Sequence, residues 1–323
     1  MKQWLYAGTA LLIFQLVLAA IFNLYDRGSY TAFTPHANLL EFSPHEVDSI
    51  TVSGEDGKEI LVNKVNNTWL LPEYFQAPAD EKKVTDFLEK LASVKQGLAV
   101  ATTSGAAKRF KTSADDFVRH VVLKHGDRVV ADFFLGTSPG YKMVHARVHD
   151  RPEVVSVELN TYDMETDPDR WLDHDMIRVK QDAISSLTMG DIDLTRQDNS
   201  WQLAGLADNE ELNIAEVDKL LDKISRLTIA GVLDPTANTE LFKQEPALTI
   251  TLQLTDNSNR VYTFVKPDKE NHYLLKTSGQ VYVFKVNNWV VDEIKKFTRN
   301  NLVKVKAADE DRDSSTSPAT DKE

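Results

Sequence analysis

Val47-Asp48-Ser49-Ile50-Thr51-Val52, then Glu59-Ile60-Leu61-Val62, then Asn67-Thr68-Trp69-Leu70-Leu71: this run of short apolar segments decides the fold, because it occurs twice. Its counterpart is Ala183-Ile184-Ser185-Ser186-Leu187-Thr188-Met189, then Ile192-Asp193-Leu194-Thr195, then Asn199-Ser200-Trp201-Gln202-Leu203. Each copy reads as short strands separated by turn residues, Gly54-Glu55-Asp56-Gly57 and Asn66-Asn67 in the first, Gly190-Asp191 and Asp198-Asn199 in the second. Self-similarity in a fixed order marks a repeated architecture.

Outward from the two tryptophans the register persists. A polar loop leads in each copy to a helix whose apolar residues stand at i, i+3, i+4 and i+7: Val84, Phe87, Leu88 and Leu91, then Val217, Leu220, Leu221 and Ile224. That spacing lines one helical face, the side that meets a sheet. Asp80 and Asn213 occupy the N-cap positions. Trp69 and Trp201 read as core residues that hold the helix down, rather than as stacking platforms for a ligand.

Farther on, Arg109-Phe110-Lys111 matches Leu241-Phe242-Lys243. Hairpins follow: 117–124 with 128–135 and 141–148 with 153–157 in the first copy, 247–254 with 260–265 and 272–276 with 280–284 in the second. Each copy is expected to close in a helix, over 160–177 with Trp171 and over 287–303 with Phe297. Strands followed by segregated helices give an α+β class, with a mostly antiparallel sheet and packed helices in each of two tandem repeats, 47–177 and 178–306.

Residues 4–25, WLYAGTALLIFQLVLAAIFNLY, are uncharged and long enough to span about 30 Å of hydrocarbon as a helix. Trp4, Tyr6 and Tyr25 sit where aromatic rings settle at the interface. A cleaved signal peptide cut after Ala20 would place Leu18 at a position that wants a small residue. The expectation is therefore a transmembrane anchor over 1–25 and a tether over 26–46. Lys2 against Asp26 and Arg27 favours a cytoplasmic amino terminus, which puts the bulk of the chain in the bacterial periplasm, held at the inner membrane. The last segment, 307–323, is acidic, lacks apolar periodicity and reads as disordered.

The chain has no cysteine, which removes disulfides, thiolate nucleophiles and cysteine-ligated zinc. A formal charge of −12 repels nucleic acid, and no basic stripe interleaved with aromatics overrides it.

Around the paired segments the sequence resembles a bacterial family, domain of unknown function 4340. The pattern consists of a first strand at Ile50, Trp69-Leu70 before a proline, Pro78-Ala79-Asp80 ahead of the Val84 helix, and Trp171-Leu172-Asp173 running to Met176-Ile177. Where that family has a tyrosine-glycine-leucine segment, this chain has Phe110-Lys111-Thr112 and Phe242-Lys243-Gln244. The resemblance implies ABC transporter subunits of the gliding-motility type as partners, and it supplies no catalytic residues.

Site chemistry is sparse. Asp163, Glu165, Asp167, Asp169, Asp173 and Asp175 alternate like calcium ligands, but Pro168 stands where a calcium loop needs glycine and His174 where it needs glutamate. A helix acidic at its amino end is the plainer reading. His145 and His149 share one side of a strand, yet four residues of strand separate them by about 13 Å. His120 and His125 flank a hairpin end. All four read as surface histidines. Thr137-Ser138-Pro139-Gly140 lacks the spacing of a nucleophile elbow, and no glycine-rich phosphate loop is present.

The expected function is accordingly a non-catalytic, membrane-anchored periplasmic accessory or scaffold protein associated with a transporter, without cofactor, metal or catalytic residues. Trp69, Trp201, Val84, Leu88, Leu91, Val217, Leu221 and Ile224 are its structural residues. The alternative is a glycan- or lipid-binding module that uses a cleft between repeats. An envelope hydrolase would need titratable groups converging in a pocket.

Overall fold

The computed structural model describes Gln15 and residues 37–306 except 199, 235, 237 and 238. The expected anchor and acidic tail therefore lie outside the described residues. Among the described residues no helix is long and apolar enough to cross a membrane.

The described chain forms two units. In the first, β1 (Ser49–Gly54) alternates half-buried and buried side chains, with Ile50 and Val52 fully inside. Asn66 and Asn67 both take φ in the left-handed region, 49° and 67°, as a tight type I′ turn requires. They fold β2 (Glu59–Val65) back into β3 (Thr68–Leu71) with Val65 opposite Thr68. After β4 (Ala77–Pro78), which goes with the second unit, α1 (Glu81–Ser93) buries Val84, Phe87, Leu88 and Leu91. Each such side chain contributes about 1.5–3 kcal/mol on burial.

Then come β5 (Ala99–Ala101), α2 (Ser104–Arg109) capped by the Thr103 side chain, and the small pair β6 (Thr112–Ser113) and β7 (Asp116–Phe117). Two hairpins finish the sheet: β8 (Arg119–His125) with β9 (Arg128–Leu135), and β10 (Val144–Val148) with β11 (Val154–Val157). Between β9 and β10 the backbone passes very close to the 110–111 segment. A Cβ at Gly136 would sit 1.8 Å from the Phe110 carbonyl oxygen, so only glycine fits there. Lys111 itself takes a φ of 52°, the conformation that a glycine in a tight turn would adopt freely.

The second unit contains β12 (Ile184–Met189), β13 (Ile192–Gln197), β14 (Ser200–Leu203), β15 (Glu210–Leu212), α3 (Ile214–Ser225) and β16 (Gly231–Leu233). It continues with β17 (Leu248–Leu254), β18 (Asn259–Val265), β19 (His272–Thr277), β20 (Val283–Asn287), α4 (Asn288–Lys295) and β21 (Val303–Val305). β15 pairs with β21, and beside that pair the Arg299 guanidinium grips both Glu210 oxygens at 2.7 and 3.3 Å, holding that carboxyl below its ordinary range.

The sheet of the first unit runs β3-β2-β1-β8-β9-β10-β11-β5, and that of the second runs β14-β13-β12-β17-β18-β19-β20-β16. Matched strand for strand, the two orders are the same. Every neighbouring pair is antiparallel. The class is α+β with few helices.

Several details depart from the sequence expectation. The first unit ends at Arg170, and the second takes Leu71–Asp80 as well as the chain from Trp171 onward. Hydrogen bonds explain the transfer. The Asp80 N–H donates to Trp171 O at 2.8 Å, Asp173 N–H to Pro78 O at 3.0 Å, Val232 N–H to Tyr74 Oη at 3.2 Å, and Tyr282 O–H to Gln76 O at 3.0 Å.

The helix expected over 160–177 does not form; only two short 3-10 turns stand there, Thr161–Asp163 and Pro168–Arg170. Short polar side chains have captured the backbone donors that a helix would use: Asn160 Oδ1 accepts from Tyr162 N, Asp167 Oδ1 from Asp169 N, and Asp173 Oδ1 from Asp175 N. Its counterpart shrinks to α4 and a following turn at Arg299–Asn301. Part of the expected tether is bound to the first unit, with Leu39 and Leu40 buried and the Leu39 N–H donating to Val94 O at 2.7 Å. Asn213 occupies the N-cap of α3, but its side chain makes no capping bond.

Candidate functional site

β8, β9 and β10 lie side by side, and strand alternation divides their residues between two faces. Val121, Leu123, Phe133 and Leu135 point into the core and are fully buried. The residues between them point the other way. Register pairs His120 with Phe134 and Val122 with Asp132, and Phe134 with Arg147 on the next strand. The His149 N–H donates to the Asp132 carbonyl at 2.9 Å, which sets His149 beside Asp132.

The result is a half-buried carboxylate between two imidazoles. Asp132 Oδ1 lies 2.8 Å from His120 Nε2, and Oδ2 lies 3.5 Å from His149 Nδ1. One ligand atom from each of the three residues falls within 4.8 Å of the others. The His120 ring stacks on Phe134 at 4.3 Å and 14°, which fixes its plane, and Phe117 stands 5.6 Å away. Arg147 lies over Phe134 at 4.8 Å and is tied down by carbonyls, its Nε donating to Thr112 O at 2.7 Å and Nη1 to His149 O at 2.9 Å. Desolvation lowers the Arg147 pKa and the charge of Asp132 partly restores it. Chemically, two imidazole nitrogens and one carboxylate can share protons or grip a cation.

The histidines are distributed otherwise than a surface reading expects. His145 is buried, its ring 4.3 Å from Phe110 and its Nδ1 2.9 Å from Thr137 Oγ1. Burial lowers its pKa below the usual 6.5. His125 stands apart, 3.5 Å from Asp48. Distances along one strand separate His145 from His149, whereas the pairing of three strands is what joins His120 to His149.

The other residues singled out in the sequence do not converge. Trp69 is buried, with the Lys64 ammonium 5.7 Å from its ring; Trp201 is half-buried and, with Arg196, Ile214 and Asp218, lines a shallow hollow. Val84, Leu88, Leu91, Val217, Leu221 and Ile224 are all buried. The acidic run is spread over turns, and Asp163 pairs with Lys90. Ser138 Oγ donates within its own turn, to Gly140 O and Met143 O.

A second feature of the first unit is a hollow of about 840 Å³ beside the terminal strand β5, lined by Lys95, Leu98, Lys142, Met143 and Ser156 among others. Leu98 is 60% exposed and Val100 43%, within and beside this edge.

The family described as Domain of unknown function (DUF4340) matches residues 69–246, more than half of the chain. The chain belongs to this family. His120, Asp132 and His149 fall within the DUF4340 match, as do both terminal strands β5 and β16. No curated protein and no solved structure matches the chain.

Proposed function

We propose that this DUF4340 protein is a non-catalytic accessory protein, held at the bacterial inner membrane with its bulk in the periplasm, whose two units are copies of one duplicated module. It docks a transporter subunit through the edge of the first. The observation that carries this reading is a difference between two equivalent strands. β16 ends its sheet with Gly231 and Val232 buried, and the chain's own Leu71–Asp80 segment supplies the Tyr74 hydroxyl that accepts from Val232 N–H. β5 ends the matching sheet with Ala99 and Val100 exposed. An exposed strand edge is a template for another chain to extend the sheet.

The membrane tether rests on residues 4–25, and the choice of a transporter partner on the family resemblance. The experiment is photo-crosslinking in the native envelope from a reactive residue placed at Val100, with the same residue at Val232 as the control, followed by mass spectrometry. A transporter-type membrane protein captured from Val100 and not from Val232 supports the reading. Equal capture from both sites, or none, refutes it.

A further inference from the structure

We propose that His120, Asp132 and His149 bind one divalent transition-metal ion of the zinc class, which ties β8, β9 and β10 together on the face away from the core. Nothing in the docking role requires this site, so the two stand or fall separately.

The donors have the right kinds and nearly the right places. Zinc bonds nitrogen and carboxylate oxygen at about 2.0–2.2 Å, so two ligands in tetrahedral geometry sit roughly 3.4 Å apart. Here His120 Nε2 stands 2.8 Å from Asp132 Oδ1 and His149 Nδ1 stands 3.5 Å from the other oxygen, Oδ2, and one ligand atom from each residue lies within 4.8 Å of the others. Small side-chain rotations close that gap without moving the backbone, which the strand pairing already fixes. Two imidazoles and one carboxylate suit zinc, nickel or copper, whereas calcium and magnesium prefer all-oxygen shells. Phe134 stacked under His120 holds that ring in one plane. His149 is the most exposed of the three, with 48% of its side chain open, and leaves a path for the ion and a place for a fourth ligand.

Arg147 sets a limit. Its positive charge shares this face and interacts with Asp132, so it offsets part of the attraction for a cation. The consequence is a site weaker than a structural zinc on which folding depends.

The protein carries its own control. Register places Thr249, Val261 and Ser278 of the second unit at the positions of His120, Asp132 and His149. The pairs Thr249–Thr263 and Thr251–Val261 match His120–Phe134 and Val122–Asp132, and Ser278 N–H donates to Val261 O at 3.0 Å as His149 does to Asp132. The same grid without ligating side chains has nothing with which to bind a metal.

The test uses the full chain, untagged so that no added histidines compete, in detergent micelles. Titration calorimetry with zinc should give one site per chain, and magnesium should give none. His120→Ala, Asp132→Asn and His149→Ala should each weaken zinc binding more than about tenfold, while Ser278→Ala leaves it unchanged. To separate loss of ligand from loss of fold, copper(II) is bound instead and the nitrogen hyperfine pattern read by electron paramagnetic resonance. Two coupled imidazoles in the native chain should become one in His149→Ala. The proposal is overturned if zinc binds no tighter than magnesium, if the three variants bind as the native chain does, or if no imidazole couples to the copper.

Discussion

Val121, Leu123, Phe133 and Leu135 in the first sheet stand where Ile250, Leu252, Tyr262 and Phe264 stand in the second, and all eight are buried. On the opposite face the same strands carry His120, Asp132 and His149 in one unit and Thr249, Val261 and Ser278 in the other. The strand order therefore depends on the inward residues, whereas the outward ones can differ without cost to the topology. On that face Phe134 is buried too, and the ligating side chains take the positions around it.

Phe133 is fully buried, and Phe133→Ala should cost about 3–5 kcal/mol, seen as a large drop in the urea midpoint of the full chain. A loss below about 1 kcal/mol would show that this position does not organise the sheet. Tyr262, its counterpart, adds a polar contact: its hydroxyl donates to the Ile177 carbonyl at 2.8 Å, and burial pushes the phenol up to about 12. Tyr262→Phe keeps the ring and strands that carbonyl, for an expected loss of about 1–2 kcal/mol. If it costs nothing, the two positions act through packing alone.

A smaller effect separates the terminal strands. Tyr74→Phe removes the acceptor of the Val232 N–H at the covered edge and should lower stability by about 0.5–1.5 kcal/mol. Hydrogen exchange at Val232 should quicken in that variant. Unchanged exchange would mean that Tyr74 does not guard β16.

What the sequence revealed follows from the range of its signals. Helical periodicity is a local property, and so the burial of Val84, Leu88 and Leu91, and of Val217, Leu221 and Ile224, could be read from spacing alone. Turn chemistry is local too, and Asn66-Asn67 announced their hairpin. The helix expected over 160–177 does not form because the side chains of Asn160, Asp167 and Asp173 close turns on their own backbone. The metal-type cluster was out of reach for another reason. Joining His120 to Asp132 and His149 needs the register of three strands, and a bulge between Leu123 and Lys124 shifts the first pairing from what a plain hairpin would give. The assignment of Leu71–Asp80 to the second unit depends on bonds to residues such as Val232 and Tyr282, far along the chain.

His145 and Leu274 occupy equivalent positions in the two sheets. Both are buried, His145 opposite Ser156 on β11 and Leu274 opposite Lys285 on β20, but only one of them can take a proton. Burial among Phe110 and the β9–β10 connection disfavours the imidazolium, so the folded-state pKa of His145 lies below the ordinary 6.5 of an unfolded chain. Above pH 6.5 neither state binds the proton and stability is at its full value; as pH falls through 6.5 toward the folded-state pKa, the unfolded chain protonates first and stability is progressively lost. His145→Leu, which copies the second unit, should remove this contribution, so that the native chain loses stability relative to the variant as pH drops through that window. The effect is the smallest considered and appears only as a difference in slope between two urea titration series. Parallel slopes for the two proteins below pH 6.5 would mean that His145 is protonated as readily in the fold as out of it.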